Sequence, residues 1–364
     1  MINQSSLDNP VEKFLRTNKA RPCPICGHTS WCSFNSKIAI CMRIPSDRPV
    51  DFTTGAQGFI HFLNGQVKYS APLITSQSTI PTASAERLDL VYRRLLKKLR
   101  LSDSHWERLQ KRGFAPRDIL RCGFRTLSAK KRDRIVNSLK AEVGDLTGIP
   151  GFAKNKDGDW LLCGKPGILI PYMNVKGQVV GLQIELDERM EDEKYHWLSS
   201  SAKGGWGPGT PINVVWPLKR LAQTVYITEG GYKPYIVANR LNALTLGIPG
   251  VGNWRGLIPA LREIKPKTVI VALDVDANTS ADGRPNRFVE RYEQELVASL
   301  ISEGYRVLRA TWANAKGPDD AIVAKEKISL HMLNQKCRDC GNDLTYLGLR
   351  HDPQFVCKTC AQKN

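Results

Sequence analysis

From Gln223 to Thr311 short apolar runs and amphipathic stretches take turns: QTVYITE, GYKPYIVANRL, ALTLGI, LIPALREI, TVIVALDVD, RFVERYEQELVASLISEG and YRVLRAT. Apolar runs of this length suit strands buried on both faces, and the helical repeats between them supply the crossovers. The pattern predicts a parallel sheet with helices on both faces. In such sheets the chemistry gathers at the carboxyl ends of the strands.

Carboxylates stand where those ends fall. Glu229 closes the strand Tyr226-Ile227-Thr228-Glu229, and Asp274 and Asp276 close Val271-Ala272-Leu273-Asp274-Val275-Asp276. Side chains alternate along a strand, so positions 274 and 276 are expected on one face, where two like charges need a cation between them. Hard oxygen donors suit Mg²⁺ or Mn²⁺. A further pair, Asp319 and Asp320, follows Lys316-Gly317-Pro318 at the start of a short helix. There an acidic residue is also an ordinary cap, so a metal role for either stays open beside that reading. Lys233 falls one helical turn beyond Glu229, where it can meet a phosphate or remain a solvated charge.

The cysteines collect at the two ends. Cys23-x-x-Cys26 is followed by His28, Cys32 and Cys41, and Cys337-x-x-Cys340 is separated by sixteen residues from Cys357-x-x-Cys360. Each Cys-x-x-Cys knuckle offers two thiolates to adjacent corners of a tetrahedron, so both sets predict closed structural zinc sites. For the first site the fourth corner lies between Cys32 and His28, with Cys32 favoured. The second set reads as a zinc ribbon, whose task could be gripping DNA, recruiting a helicase or holding the tail folded. Cys122 and Cys163 stand apart and read as small buried hydrophobes.

Residues 70–85 are rich in Ser, Thr, Pro and Ala and read as a linker. Beyond it, residues 86–140 carry 17 Lys and Arg against 6 Asp and Glu on a helical repeat, within a chain whose formal net charge is +18. Such a surface favours a polyanion. Next, GILIPYMN and GQVVGLQIELD flank Val175-Lys176-Gly177 and predict a pair of strands about a tight turn. The opening residues are polar, and no run reaches the roughly 20 apolar residues of a membrane span. Clustered cysteines without a leader point to a reducing, cytoplasmic setting and no membrane partner. No Walker A loop is present, which argues against an ATP-driven motor within these residues.

Glu229-Gly230, then Asp274-x-Asp276, then Lys316-Gly317-x-Asp319 resemble, in that order, the Toprim domain of bacterial-type primases, topoisomerases and some nucleases. Gly167 to Ile184 with Lys194-Tyr195-His196-Trp197-Leu198-Ser199 looks like the basic subdomain preceding Toprim in primases. The segment Leu109-Gln-Lys-Arg-Gly-Phe-Ala-Pro-Arg-Asp-Ile-Leu is similar to the start of that core, and the first cysteine set to the zinc module of phage and mobile-element primases. One departure is the sequence Ala277-Asn278-Thr279 where the family has a glycine.

The resemblance implies an α/β multidomain chain. Its parts would be a zinc-binding module at 1–69, the linker at 70–85 and a basic helical and α+β subdomain at 86–216. A Toprim domain with a parallel, Rossmann-like sheet would follow at 217–330, and a zinc ribbon at 331–364. It further implies a DNA primase that makes short primers on single-stranded DNA from nucleoside triphosphates beside a separate replicative helicase. In that reading Glu229, Asp274 and Asp276 are catalytic and bind Mg²⁺ or Mn²⁺ with Asp319 or Asp320, while Lys194, Lys233 and Lys316 contact nucleotide or DNA. A Toprim nuclease and a non-catalytic zinc and Toprim mediator of recombination are the alternatives.

Overall fold

The computed structural model describes residues 14–29, 31–44, 46–51, 57–63, 82–190, 193–219, 222–274, 287–334, 340–341, 345–346, 355–357 and 360. Most of the 70–85 linker, together with Asp276 and Cys337, lies outside the described residues. The chain divides into two compact units, Met1–Ser76 and Gln77–Asn364.

The first unit is a small antiparallel sheet of β1 (Leu15–Arg16), β2 (Ser33–Phe34), β3 (Ile38–Cys41), β4 (Pro49–Asp51) and β5 (Gln57–Phe62), in the order β1-β2-β3-β5-β4. Its apolar core is slight and includes the cysteines themselves, with Cys23, Cys32 and Cys41 each at most 2% exposed. A unit with so little apolar interior needs cross-linking by metal or disulfide.

The second unit opens with α1 (Ala85–Lys98), α2 (Asp103–Lys111), α3 (Pro116–Cys122), the short strand β6 (Arg125–Leu127) and α4 (Arg132–Val143). Helix α1 begins where the Ser84 hydroxyl accepts the Arg87 N–H, and it buries Leu88, Val91, Tyr92, Leu95 and Leu96 at helical spacing. Lys97 and Lys98 in its last turn suit the negative end of the dipole. Strands β7 (Phe152–Lys154) and β8 (Trp160–Leu162) form a separate pair. Strand β9 (Gly167–Met173) then pairs antiparallel with β10 (Val179–Met190), as expected of the two apolar runs about residues 175–177. With β11 (Glu193–Trp197) they make a four-stranded sheet in the order β11-β10-β9-β6.

The helical repeat of residues 86–140 continues the sequence expectation except at β6, three residues that join the sheet beside β9. Its basic residues also divide in two. Lys97, Lys111, Arg134 and Lys140 are exposed. By contrast Arg87 donates to the carbonyls of Val143 and Asp145, Arg125 to that of Leu96, and Arg132 to those of Leu162 and Gly164. Those three guanidinium groups are staples between segments rather than phosphate contacts.

The rest of the unit is built on β12 (Asn213–Val215), β13 (Thr224–Glu229), α5 (Lys233–Leu241), β14 (Leu244–Ile248), α6 (Leu257–Ile264), β15 (Thr268–Val271), α7 (Arg287–Ser302), β16 (Arg306–Thr311), α8 (Pro318–Val323) and β17 (Ser329–Met332). The sheet order is β12-β14-β13-β15-β16-β17, with the four inner strands parallel and the two edge strands antiparallel. The alternation read from sequence gives the parallel core. The edges are three and four residues long, too short to show a repeat. A last pair, β18 (Thr345–Tyr346) with β19 (Phe355–Val356), lies between the terminal cysteines. Among the described residues no helix is long and apolar enough to cross a membrane.

Behind the sheet Arg309 of β16 and Glu293 of α7 form an ion pair, both residues at most 1% exposed. Removing one partner leaves the other charged and buried. Glu293→Leu is therefore expected to destabilise the protein by about 3–5 kcal/mol in denaturant titrations, whereas Glu293→Leu with Arg309→Met should recover most of the loss.

Candidate metal and nucleotide site

Glu229 is the last residue of β13, in register with Ile248 of β14. Strand β15 ends at Val271, but its pairing with β13 runs one step further, since the Ala272 N–H reaches the Ile227 carbonyl at 2.9 Å. That extension carries Asp274 to the end of β13, where its N–H meets Glu229 Oε1 at 3.4 Å. The two carboxylates thus arrive from neighbouring parallel strands. The expectation that Asp274 and Asp276 share a strand face has no strand to rest on at 274, and Asp276 lies outside the described residues.

The carboxylate the structure brings to Asp274 is Asp319, in the first turn of α8. Asp319 is 2% exposed and Asp274 8%, while Asp320 faces solvent. Helical phase thus turns one member of the Asp319-Asp320 pair inward and the other out. Gly317 lies between the two buried acids: a Cβ there would sit 2.8 Å from Asp274 Oδ1 and 2.9 Å from Asp319 Oδ1. Among the described residues neither of these two oxygens finds a hydrogen-bond partner. Buried acceptors left unmatched cost free energy, and two of them facing one small space suit a cation that takes both. The donor set fits a hard divalent ion.

Their outer oxygens are already engaged. Lys233, at the start of α5, ion-pairs with Asp274 Oδ2. Arg112 reaches Asp319 Oδ2 at 3.6 Å while its guanidinium lies over the Tyr232 ring, 4.8 Å from the centroid. Burial holds the Asp319 pKa above the ordinary carboxylate value, opposed by Lys233 and Arg112 and reinforced by Asp320 and Asp274. Three of these acids therefore share one field.

The site continues into the other sheet. The Tyr232 hydroxyl donates to Glu185 Oε2 at 2.9 Å, and Lys194 Nζ lies 3.0 Å from Glu185 Oε1. Lys194 of β11 is thus joined to the carboxylates through Glu185, Tyr232 and Arg112, whereas Lys316 is exposed beside Gly317. Two glycines permit the approach: a Cβ at Gly231 would lie 2.5 Å from Gln183 Oε1, and one at Gly113 would overlap the Val323 side chain. Sequence reasoning gave Arg112, Tyr232 and Glu185 no role. The signal for Arg112 was its place in the Arg112-Gly113 element, where the glycine lets α2 meet the end of α8.

In the first unit Cys23, Cys26, Cys32 and Cys41 bring their sulfur atoms within 4.8 Å of one another. The Cys26 and Cys32 sulfurs are 3.7 Å apart and those of Cys32 and Cys41 4.0 Å. A tetrahedron with zinc–sulfur bonds of ~2.3 Å has edges of ~3.8 Å, so the cluster has the dimensions zinc requires. Backbone N–H groups of Arg43 and Ile44 point at Cys41 Sγ, at 3.4 and 3.1 Å. With the Cys32 thiol, its main influence, they pull Cys41 down to about 5, while Cys32 is pushed up. His28 is exposed and its Nδ1 is turned to the Cys26 carbonyl at 2.9 Å. Near the other end Cys340, Cys357 and Cys360 gather in the same manner. Both groups can hold structural zinc.

The chain resembles known primase structures at a distance. It is similar to the zinc-binding and RNA polymerase domains of the Aquifex aeolicus primase, with 14% identity and a TM-score of 0.48, covering 68% of this chain and 63% of that one. It thus spans less than two thirds of that chain's length. It is also similar to the RNA polymerase domain of the Mycobacterium tuberculosis primase DnaG, at 12% identity and a TM-score of 0.49, covering 67% of this chain and 84% of that one. A third likeness is to a DnaG primase catalytic domain bound to single-stranded DNA, at 14% identity and a TM-score of 0.45, covering 67% and 80%. No family model matches the chain, and no curated protein matches it significantly. Likeness at this level assigns no activity.

Elemental analysis of purified protein is expected to find about two zinc ions per chain, about one in Cys32→Ser and still two in His28→Ala. Gly317→Ala is expected to fold, because a φ of −137° suits any residue. Its methyl group should spread Asp274 and Asp319 and weaken Mn²⁺ binding roughly tenfold by isothermal titration, about 1.4 kcal/mol.

Proposed function

We propose that this chain is a DNA primase, which synthesises short primers on a single-stranded template from nucleoside triphosphates for a phage or mobile element. The observation that carries the reading is the pair of buried oxygens of Asp274 and Asp319, unpartnered among the described residues and set beside Glu229 where parallel strands end. The ordered motifs, which resemble a Toprim domain behind a primase-like basic subdomain, give that site its reaction class. The Aquifex and Mycobacterium proteins are named as primases and support the reading only as analogies.

In this reading Asp274 and Asp319 would hold Mg²⁺ or Mn²⁺, with Glu229 and Asp276 as further ligands. The ion, when bound, screens the triphosphate and favours ionisation of the primer 3′-hydroxyl. The new bond joins that oxygen to the α-phosphorus of the incoming nucleotide, and pyrophosphate leaves with the electrons of the broken P–O bond. Glu229, whose Oε1 accepts the Asp274 N–H, takes up the hydroxyl proton in this reading. Lys233, Lys316 and Lys194 offer charge to phosphates, and Arg112 positions Asp319. The exposed cations of α1 to α4 follow the template backbone, a contact that weakens with salt and reads no sequence. Trp197 and Trp206 are partly buried and pack against the apolar clusters.

Purified protein given a single-stranded template, labelled nucleotides and Mg²⁺ or Mn²⁺ is expected to make short templated products. Asp274→Ala and Asp319→Asn should each lower the yield on the order of a hundredfold. Absence of product from the unaltered protein, or product indifferent to both substitutions, overturns the proposal. Cleavage of DNA without nucleotides would make the site a nuclease's instead.

A further inference from the structure

Lys233 occupies an electrostatically awkward position. It is the first residue of the nine-residue helix α5, where the helix dipole favours an anion over a cation. Its side chain is only 14% exposed. What holds it there is Asp274 Oδ2, as Arg112 accompanies Asp319 Oδ2. Two acids and two bases already balance, yet Oδ1 of each acid is unpartnered among the described residues, and Asp319 is 2% exposed. A divalent ion drawn to those oxygens would find the nearby negative charge largely neutralised and an ammonium group beside it.

The two bases differ in freedom. Arg112 is pinned over the Tyr232 ring, with its Nε buried. Lys233 has a flexible four-carbon stem and three donors free to follow any acceptor, and its Cε lies 3.1 Å from where a Gly317 Cβ would be. It can move off Asp274 without disturbing α5, toward the helix start that already favours an anion. A metal ion arriving with a triphosphate supplies both what displaces the ammonium and what receives it.

We propose that Lys233 is a resident cation of the carboxylate site, displaced when a divalent ion and a nucleoside triphosphate bind, so that metal and nucleotide load together. The inference rests on the reading of Asp274 and Asp319 as metal ligands. It makes Lys233 the group that couples the two loading events, where a fixed structural ion pair would leave metal and nucleotide independent.

The test is Mn²⁺ binding to the zinc-loaded full chain, followed by electron paramagnetic resonance at fixed free Mn²⁺. It is run with and without a non-hydrolysable α,β-methylene nucleoside triphosphate. Nucleotide is expected to tighten Mn²⁺ binding of the unaltered protein roughly tenfold or more. Lys233→Met and Lys233→Gln should each bind Mn²⁺ alone roughly tenfold tighter than the unaltered protein, with little further gain from nucleotide. The Gln variant keeps a hydrogen-bond donor for Asp274, which guards against misfolding of the Met variant. If both variants bind Mn²⁺ alone no more tightly than the unaltered protein, the resident-cation proposal is overturned and the metal reading stands. If Asp274→Asn leaves Mn²⁺ binding unchanged, the metal reading falls and this proposal with it.

Discussion

Two buried carboxylates face each other across a glycine, and much of the second unit is arranged around that fact. Asp274 and Asp319 are brought by a strand end and a helix start 45 residues apart in sequence. Like charges this close in a dry setting repel strongly unless other groups answer them. Lys233 answers one and Arg112 the other. Among the described residues the inner oxygens are left without an answer.

The same charges join the two sheets. Arg112 comes from α2 and Glu185 from β10, on the side of the four-stranded sheet, while Tyr232, Lys233 and Asp319 belong to the six-stranded side. Around the polar line lies an aromatic one, with Phe114, Phe124, Tyr232 and Tyr235 in edge contacts at centroid distances of 5.2 to 5.8 Å. The Tyr235 hydroxyl donates to the Pro171 carbonyl of β9 at 2.5 Å. Apolar rings supply the adhesion and the charged line supplies the registration between the sheets.

Much of this was legible in the sequence wherever a repeat or a fixed spacing announces structure. The parallel core was legible from strands and helices that alternate, and Glu229 and Asp274 from their place at the ends of apolar runs. The four-cysteine cluster was legible from its spacing, because two thiolates of a knuckle must face one point. What escaped depends on contacts distant in the chain. Strand β6 is too short to interrupt a helical repeat, and Asp319 could be told from Asp320 only by helical phase. Arg112 and Glu185 were given no role because their partners lie far away in sequence. Arg87, Arg125 and Arg132 read as part of a basic surface, although backbone carbonyls claim them.

The bond between Tyr232 and Glu185 carries a consequence for anyone dividing this protein. Cutting between the four-stranded and six-stranded sheets would strand the Glu185 carboxylate, 4% exposed, without its tyrosine, and would bare the Phe114 and Phe124 rings. Either fragment would carry a fresh apolar face, an ingredient of aggregation. The two sheets accordingly fall within one compact unit, from Gln77 onward. Recombination that exchanges one sheet alone would have to exchange its tyrosine and its glutamate together.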